Sequence, residues 1–496
     1  MVRRQTLREV EVVDDDLDPD AAAAPAAPTH RPHRRALTAG AAGLAVLVVG
    51  AVTAQVVTDR RDDARIAAVS ALPGAVAPLD GPPQALWGVT DDEWRGTEAR
   101  AGDGTLVGVR HSTDGPVVVS ARDPRTGEVV WEVELVDGTT RPAPDAPDAP
   151  DGEVMASSGR CASLPQERHR VVCLVHDGMA VTTAEGDWHA VPASVARVVV
   201  LDSRDGSVTT DLSTSLAPTS ASSLAVVGDL VVTSATQATP EIHAVTTDGK
   251  RAWAHVLSEG PRTEATYAYP VALGDLVAVV TPTAVQLLDA GGAVVHDVPV
   301  PPDSQPWWYD TTIYVQPGIE TRPGDGTTSE PFTTVIRPDG LVEVTGEPVR
   351  VTVDDGSAPG LVLTTGPRGT LRAWDADGRE TWSAELAAPW GALVLDGRLH
   401  LTSGTALITL DARTGEELWR SEAISSSLVT DGRHLLGVAA STEDDVEMVA
   451  LDPVDGSELW RSALPDGTES VETYLHLLLA FAVDEVEGTS RLTVLG

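Results

Sequence analysis

Thr409 to Trp419 reads TLDARTGEELW: a β-type run ends in Leu-Asp, turns through Ala-Arg-Thr-Gly and restarts toward a tryptophan. The same grammar returns in ALDPVDGSELW (Ala450 to Trp460), RAWDADGRETW (Arg372 to Trp382) and SARDPRTGEVVW (Ser120 to Trp131), with a shorter copy in VTTDGKRAW (Val245 to Trp253). In each copy the tryptophan stands four residues after the turn glycine: Gly127/Trp131, Gly249/Trp253, Gly378/Trp382, Gly415/Trp419 and Gly456/Trp460. Such repetition overrides a domain count from length, because a repeat unit can bury its faces only against its neighbours.

A second token precedes the first. LAVVGDLVVTSA (224–235), PVALGDLVAVVT (270–281), ALVLDGRLHLTS (392–403), SLVTDGRHLLGV (427–438) and EARAGDGTLVGV (98–109) each join two β-type runs through Gly-Asp or Asp-Gly. Short Val- and Leu-rich runs around such dipeptides are hairpins. One unit is therefore strand A, a tight turn, strand B, a loop, strand C ending in Leu-Asp, the glycine turn, and strand D carrying the tryptophan.

The C–D turn glycines Gly127, Gly206, Gly249, Gly292, Gly340, Gly378, Gly415 and Gly456 are spaced by 79, 43, 43, 48, 38, 37 and 41 residues. A period near 40 with four antiparallel strands defines a β-propeller blade. Thr210, His296 and Val344 hold the tryptophan place in three weaker copies, and the long first interval reads as one blade with insertions. After Trp460 come TYLHLLLAFAV (473–483) and RLTVLG (491–496) but no D strand, while QALWGV (84–89) is an orphan strand near the start. Joining them makes one blade from both ends and removes an open sheet edge. The expected fold is all-β: an eight-bladed propeller over residues 84–496, with one weak copy, around Gly292 or Gly340, not a full blade, and nine blades as the alternative.

LDARTGEELW and LDPVDGSELW resemble the PQQ-like repeat, the tryptophan-docking unit of quinoprotein alcohol dehydrogenase-type propellers. The same repeat also occurs in non-enzymatic envelope proteins such as the outer-membrane assembly lipoprotein of that fold. The resemblance covers roughly residues 84–496 and is specific for fold, not for function. It implies that Trp131, Trp253, Trp382, Trp419 and Trp460 pack between neighbouring blades and are structural. A quinone enzyme of this kind is expected to use calcium with acidic and amide ligands, often beside an adjacent-cysteine disulfide. Here there is no asparagine, no Cys-Cys pair and no CxxCH, so the expectation is no cofactor and no enzymatic activity. GxSxG, HExxH and phosphate-loop motifs are absent as well.

The formal charge is −39 and Lys250 is the only lysine, which argues against a nucleic-acid partner. Residues 1–35 combine an acidic run with an Ala/Pro stretch and read as a disordered cytoplasmic tail able to recruit a cytosolic partner. Ala36 to Val57 is uncharged over 22 residues, enough for a helix to cross a bilayer as a signal anchor, with a cleaved signal peptide as the competing reading. Arg3, Arg4 and Arg8 favour an inside N-terminus, which places the propeller outside the cytoplasm on the cell membrane. Residues 58–83 read as a linker. Asp-rich turns such as 148–153 and 324–330 match no calcium-loop spacing, so no metal is expected.

In a propeller the A–B and C–D turns open on one face, and the B–C loops and blade-to-blade connections on the other. The short repeat tokens belong to the first face and every long insertion to the second, which makes the second the expected binding face. Trp188, His189, Trp307, Trp308, Tyr309 and Trp390 lie in those insertions or at A strands, and an aromatic mouth of this kind suits an envelope protein or a glycan. Packing between blades is the plainer reading for these aromatics. The only cysteines, Cys161 and Cys173, flank a loop of a size that a disulfide would close in an oxidising compartment. The function expected is a non-enzymatic, membrane-anchored binding or assembly platform. The alternatives are an envelope sensor signalling through its tail, or an enzyme with an unrecognised site in the channel.

Overall fold

The computed structural model describes residues 55–110, 115–137, 153–156, 159–182, 188–191, 193–216, 221–235, 240–257, 268–302, 304–316, 332–366, 369–386, 389–439, 446–484 and 489–496. The expected tail, and the apolar stretch as far as residue 54, lie outside these residues. Among the described residues no helix is long and apolar enough to cross a membrane. Contacts divide the chain into residues 1–62 and residues 63–496. In the first unit residues 55–62 are helical. The second is a ring of antiparallel sheets.

Among the described residues the sheets of the ring number nine. Blades 1 to 8 run in sequence over 97–136, 159–211, 221–256, 269–299, 305–345, 347–385, 389–421 and 426–463. Blade 9 joins Thr468–Tyr474, Leu477–Asp484 and Thr489–Leu495 to Ala85–Thr90, which pairs antiparallel to Thr489–Leu495 as its outer strand. The expected closure by both ends of the chain is thus present, but the preferred count of eight is corrected to nine. The copies around Gly292 and Gly340 are complete four-stranded blades. They read as weak because His296 and Val344 replace the tryptophan, yet their inner strands Leu276–Val280 and Ile313–Val315 are as buried as any. A small satellite sheet of Glu153–Ala156, Met179–Thr182 and Trp188–Val191 is built from the insertions of blade 2.

Each blade is covered on both faces by its neighbours, so B and C strands are continuous apolar runs, not alternating ones. Apolar clusters occupy every interface in turn, from that joining Val107 and Val119 to Val171 and Val199 (blades 1 and 2) to that joining Leu479 and Leu492 to Leu106 (blades 9 and 1). D strands are outermost and half exposed, as in Glu417–Ser421. In blade 2 Cys161 and Cys173 face each other on strands A and B and form a disulfide.

The turn that opens the repeat shows why its residues recur. Asp411 Oδ1 accepts hydrogen bonds from the backbone amides of Arg413 (3.0 Å) and Thr414 (2.9 Å), and the Gly415 amide donates to the Asp411 carbonyl (2.8 Å). Closing this turn puts Gly415 at φ 72°. The Trp382 ring of the preceding blade then lies 2.5 Å from where a Cβ would stand, and its Nε1 donates to the Ala412 carbonyl (3.0 Å). Trp131 docks in the same way on Gly206 and the Ser203 carbonyl (2.7 Å), and Trp253 on Gly292 and the Ala290 carbonyl (3.1 Å). Trp87, from the orphan strand, docks on Gly127 and the Pro124 carbonyl (3.1 Å). Trp419 rests on Gly456 without the hydrogen bond, and Trp460 meets no turn, because the C–D connection of blade 9 is replaced by the two ends of the chain. At Gly249 the contact comes from Leu212, just past the strand that carries Thr210, and at Gly378 from Val342 and the Glu343 carbonyl on the strand of Val344.

Gly397 shares the left-handed conformation (φ 72°) but faces open space, which separates strain from packing. Gly397→Ala is expected to cost about 1–2 kcal/mol from backbone strain alone. Gly415→Ala should cost about 1–3 kcal/mol more, because the new methyl group must displace the Trp382 ring. Urea denaturation of the two variants in parallel measures the difference.

Candidate binding sites: a crossed channel and a divided blade

The first strands of neighbouring blades contact one another between blades 1 and 4 and between blades 6 and 9, so the A strands line the centre. Residues 63–80 belong to this ring and are not a free linker. Residues 63–70 are helical and bury Ile66 and Val69 over the A–B turn of blade 8 at Gly432, while Arg65 pairs with Asp396 in the A–B turn of blade 7. Leu72 and Pro73 then reach Tyr309 of blade 5 and Thr352 of blade 6. Gly74 lies against the Thr352 carbonyl and the Tyr309 hydroxyl. Immediately afterwards the Ala75 carbonyl accepts from His476 Nδ1 of blade 9 (3.1 Å), and the Val76 amide donates to the Thr430 carbonyl of blade 8 (3.0 Å). Five consecutive residues therefore touch blades 5, 6, 8 and 9, which requires the chain to cross the channel mouth on the regular-turn face.

The return path is fixed by Asp431, whose side chain is fully buried. It accepts from the backbone amides of Leu79 (3.0 Å), Arg433 (2.8 Å) and His434 (2.7 Å) and pairs with His434 Nδ1 (2.9 Å). Burial on its own would raise this carboxyl; the donors from His434 and Leu79 outweigh it and hold the group below the ordinary carboxylate value.

Blade 6 departs from the regular pattern. Its A strand is divided: Glu347–Pro348 pairs with Val362–Thr365, whereas Val351–Asp354 leaves the sheet and runs parallel to Pro389–Leu395 of blade 7. The Val349 amide still donates to the Leu363 carbonyl (2.9 Å), and the chain turns away after it. The departure opens a cavity of about 170 Å³ between blades 5 and 6, bounded by Tyr309, Tyr314, Arg337, Thr352, Asp354 and Leu72. Tyr314 is 9% exposed and its ring stacks on Trp307 at 4.2 Å. Burial raises the Tyr314 phenol, opposed by the Arg337 and Arg350 guanidiniums. Arg350 lies 3.7 Å above the Tyr309 ring. Partial desolvation pushes the Asp354 carboxyl up, against the Gly356 amide that donates to it (2.8 Å).

The aromatics singled out in the sequence do not form one cluster. Alternation along Gln305–Tyr309 turns Trp307 and Tyr309 toward blade 6, where Tyr309 donates to the Thr352 carbonyl (3.3 Å). Trp308, 39% exposed, turns toward blade 4 and sits 6.2 Å from Tyr269. Trp188 and His189 belong to the satellite sheet and Trp390 to the A strand of blade 7; their side chains lie outside the described residues. Tyr314 and Arg337, on paired strands of blade 5, and Arg350, just before the departing strand of blade 6, carried no sequence signal. Among the described residues no group of three or more His, Cys, Asp or Glu is placed to hold a metal ion.

The fold and its docked tryptophans define a repeat propeller of the PQQ-like class. The family model of the outer membrane protein assembly factor BamB matches residues 116–305 and 338–484, more than half of the chain, and the chain belongs to that family. No curated protein matches it. Among solved structures, BamB from Moraxella catarrhalis is 15% identical, with 83% of this chain and 99% of that one covered at a TM-score of 0.34. A quinohemoprotein alcohol dehydrogenase from Pseudomonas putida HK5 is 12% identical, with 87% and 81% covered at 0.36. The computationally designed protein Ika8 is 12% identical, with 85% and 99% covered at 0.34. At these identities and scores none of the three informs on ligand or reaction.

Asp431→Asn tests the attachment of the crossing segment. A carboxyl whose folded pKa is depressed stabilises above its unfolded value, about 4, and loses that contribution as pH falls through the folded value. The variant is expected to be about 1–3 kcal/mol less stable near neutral pH. The gap to the parent should narrow in urea melts as the pH is taken down through the carboxylate range.

Proposed function

We propose that the protein is a non-enzymatic binding and assembly platform of the cell envelope. In this reading residues 36–57 anchor it in the cell membrane, residues 1–35 are cytoplasmic, and the propeller is extracytoplasmic and docks an envelope protein or a glycan on its loop-rich face. The observation that carries the reading is the division of labour between the two faces. On one face the repeat residues are consumed by turn closure and tryptophan docking, and the chain's own residues 72–76 cross the channel mouth. The longest connections fall on the other, where Phe332 and Tyr269 begin their strands 64% and 39% exposed. Family membership supports a scaffold role, and the Cys161–Cys173 disulfide suits an oxidising compartment.

The test is site-specific photocrosslinking in cells. Probes at Phe332 and Tyr269, which begin their strands, report on the loop-rich face, and probes at Asp248 and Arg413 on the turns of the regular face. Discrete adducts from the first pair alone are expected. Adducts arising chiefly from the second pair would overturn the assignment of the docking face.

A further inference from the structure

We infer that residues 63–80 hold the propeller with its regular-turn face toward the membrane, so that the loop-rich face receives its partner from the side away from the bilayer and not from a membrane-embedded neighbour. This orientation rests on the proposed anchoring by residues 36–57.

The attachment is made on one face. Asp396, Asp431 and His476 belong to the A–B turns of blades 7, 8 and 9, where they take Arg65, the Leu79 amide and the Ala75 carbonyl in turn. Ile66, Val69, Ala75 and Val76 are buried against the ring, so the stretch is not a swivel. A Cβ on Gly432 would stand 2.8 Å from the Ile66 carbonyl, so the glycine is what lets this helical turn settle on blade 8. The same stretch crosses the channel mouth to Tyr309 and Thr352, which places the attachment over the axis of the ring and not at its rim.

Chain length excludes the opposite orientation. Val57, the last residue of the apolar stretch, and Asp63 are six residues apart, and the chain between them reaches at most about 20 Å when fully extended. The four strands of a blade, about 4.8 Å apart, put its outer edge about 15 Å from its A strand. A strands of five to seven residues in blades 3 to 5 put the two faces about 20 Å apart. With the loop-rich face turned to the bilayer, the tether has to pass the rim and descend the side of a blade, roughly 35 Å in all. That path is longer than the tether. A partner of the loop-rich face therefore has to extend about 20 Å or more beyond the bilayer surface.

Energy transfer from labelled protein to a lipid dye reads the orientation. The two native cysteines are joined in a disulfide, so a single introduced cysteine takes a donor dye selectively. Full-length protein is reconstituted in phosphatidylcholine–phosphatidylglycerol vesicles with an acceptor dye on the outer headgroups and is labelled from outside. Asp248→Cys and Arg413→Cys, on the regular turns, are expected to lie about 20 Å closer to the acceptor plane than Tyr269→Cys and Phe332→Cys, at strand starts on the other face. Inserting about 20 Gly and Ser residues between Asp62 and Asp63 should erase the difference. Equal or reversed distances overturn the inferred orientation, and a difference that survives the insertion overturns the short tether as its cause; both results leave the anchoring intact. Protein that does not stay with the vesicles overturns the anchoring, and the orientation with it.

Discussion

A glycine that lets an indole ring lie directly on a turn is the contact on which the ring of blades depends. The turn needs a left-handed residue to close and the ring needs that residue to have no side chain, so two separate demands select glycine at Gly127, Gly206, Gly292, Gly415 and Gly456. Because the tryptophan comes from one blade and the turn from the next, the motif is a statement about neighbours, not about a site. Its Nε1–H to carbonyl bond then sets the angle between consecutive sheets as well as their separation.

That contact weakens at two places. Among the described residues the Nε1 groups of Trp419 and Trp460 have no acceptor, and these rings serve the interfaces between blades 7 and 8 and between blades 8 and 9. They are the same two interfaces whose apolar clusters take in residues of the crossing segment: Val69 and Ala75 at the first, Val76 and Leu79 at the second. His400, beside Trp419, is held neutral, its pKa lowered to about 3 by burial and by Arg398, so no charge disturbs this part of the core. Where the repeat bond is missing, a piece of chain from outside the repeats supplies the burial. The ring is thus fastened near its seam twice, by the shared blade 9 and by residues 63–80.

Most of the architecture was legible because a blade is a local object: hairpin dipeptides, a turn glycine and a tryptophan recur within about 40 residues. The count was harder, since it rested on whether His296 and Val344 could stand for tryptophan, and burial of the inner strands, not the docking residue, decided it. The crossing segment was invisible for another reason. Residues 63–80 carry Pro and Gly and little periodicity, and their partners Asp396, Asp431 and His476 lie more than 300 positions away. The site aromatics divide in the same way. Trp307 and Tyr309 stand out by composition, but Tyr314 and Arg337 of blade 5 share a cavity with Asp354 on the strand of blade 6 that leaves its sheet.

The departure of that strand and the crossing segment are connected. A ring of nine blades has a wider centre than one of eight. Here Leu72 to Val76 fill the mouth on one face, and Val351–Asp354 shifts toward blade 7, where Val353 packs in the cluster that also holds Val69 and Ala75. The shift closes the centre and opens the space beside Tyr314. One geometric demand, filling a wide axis with the chain's own residues, therefore accounts both for the closed face and for the cavity that the closure leaves between blades 5 and 6.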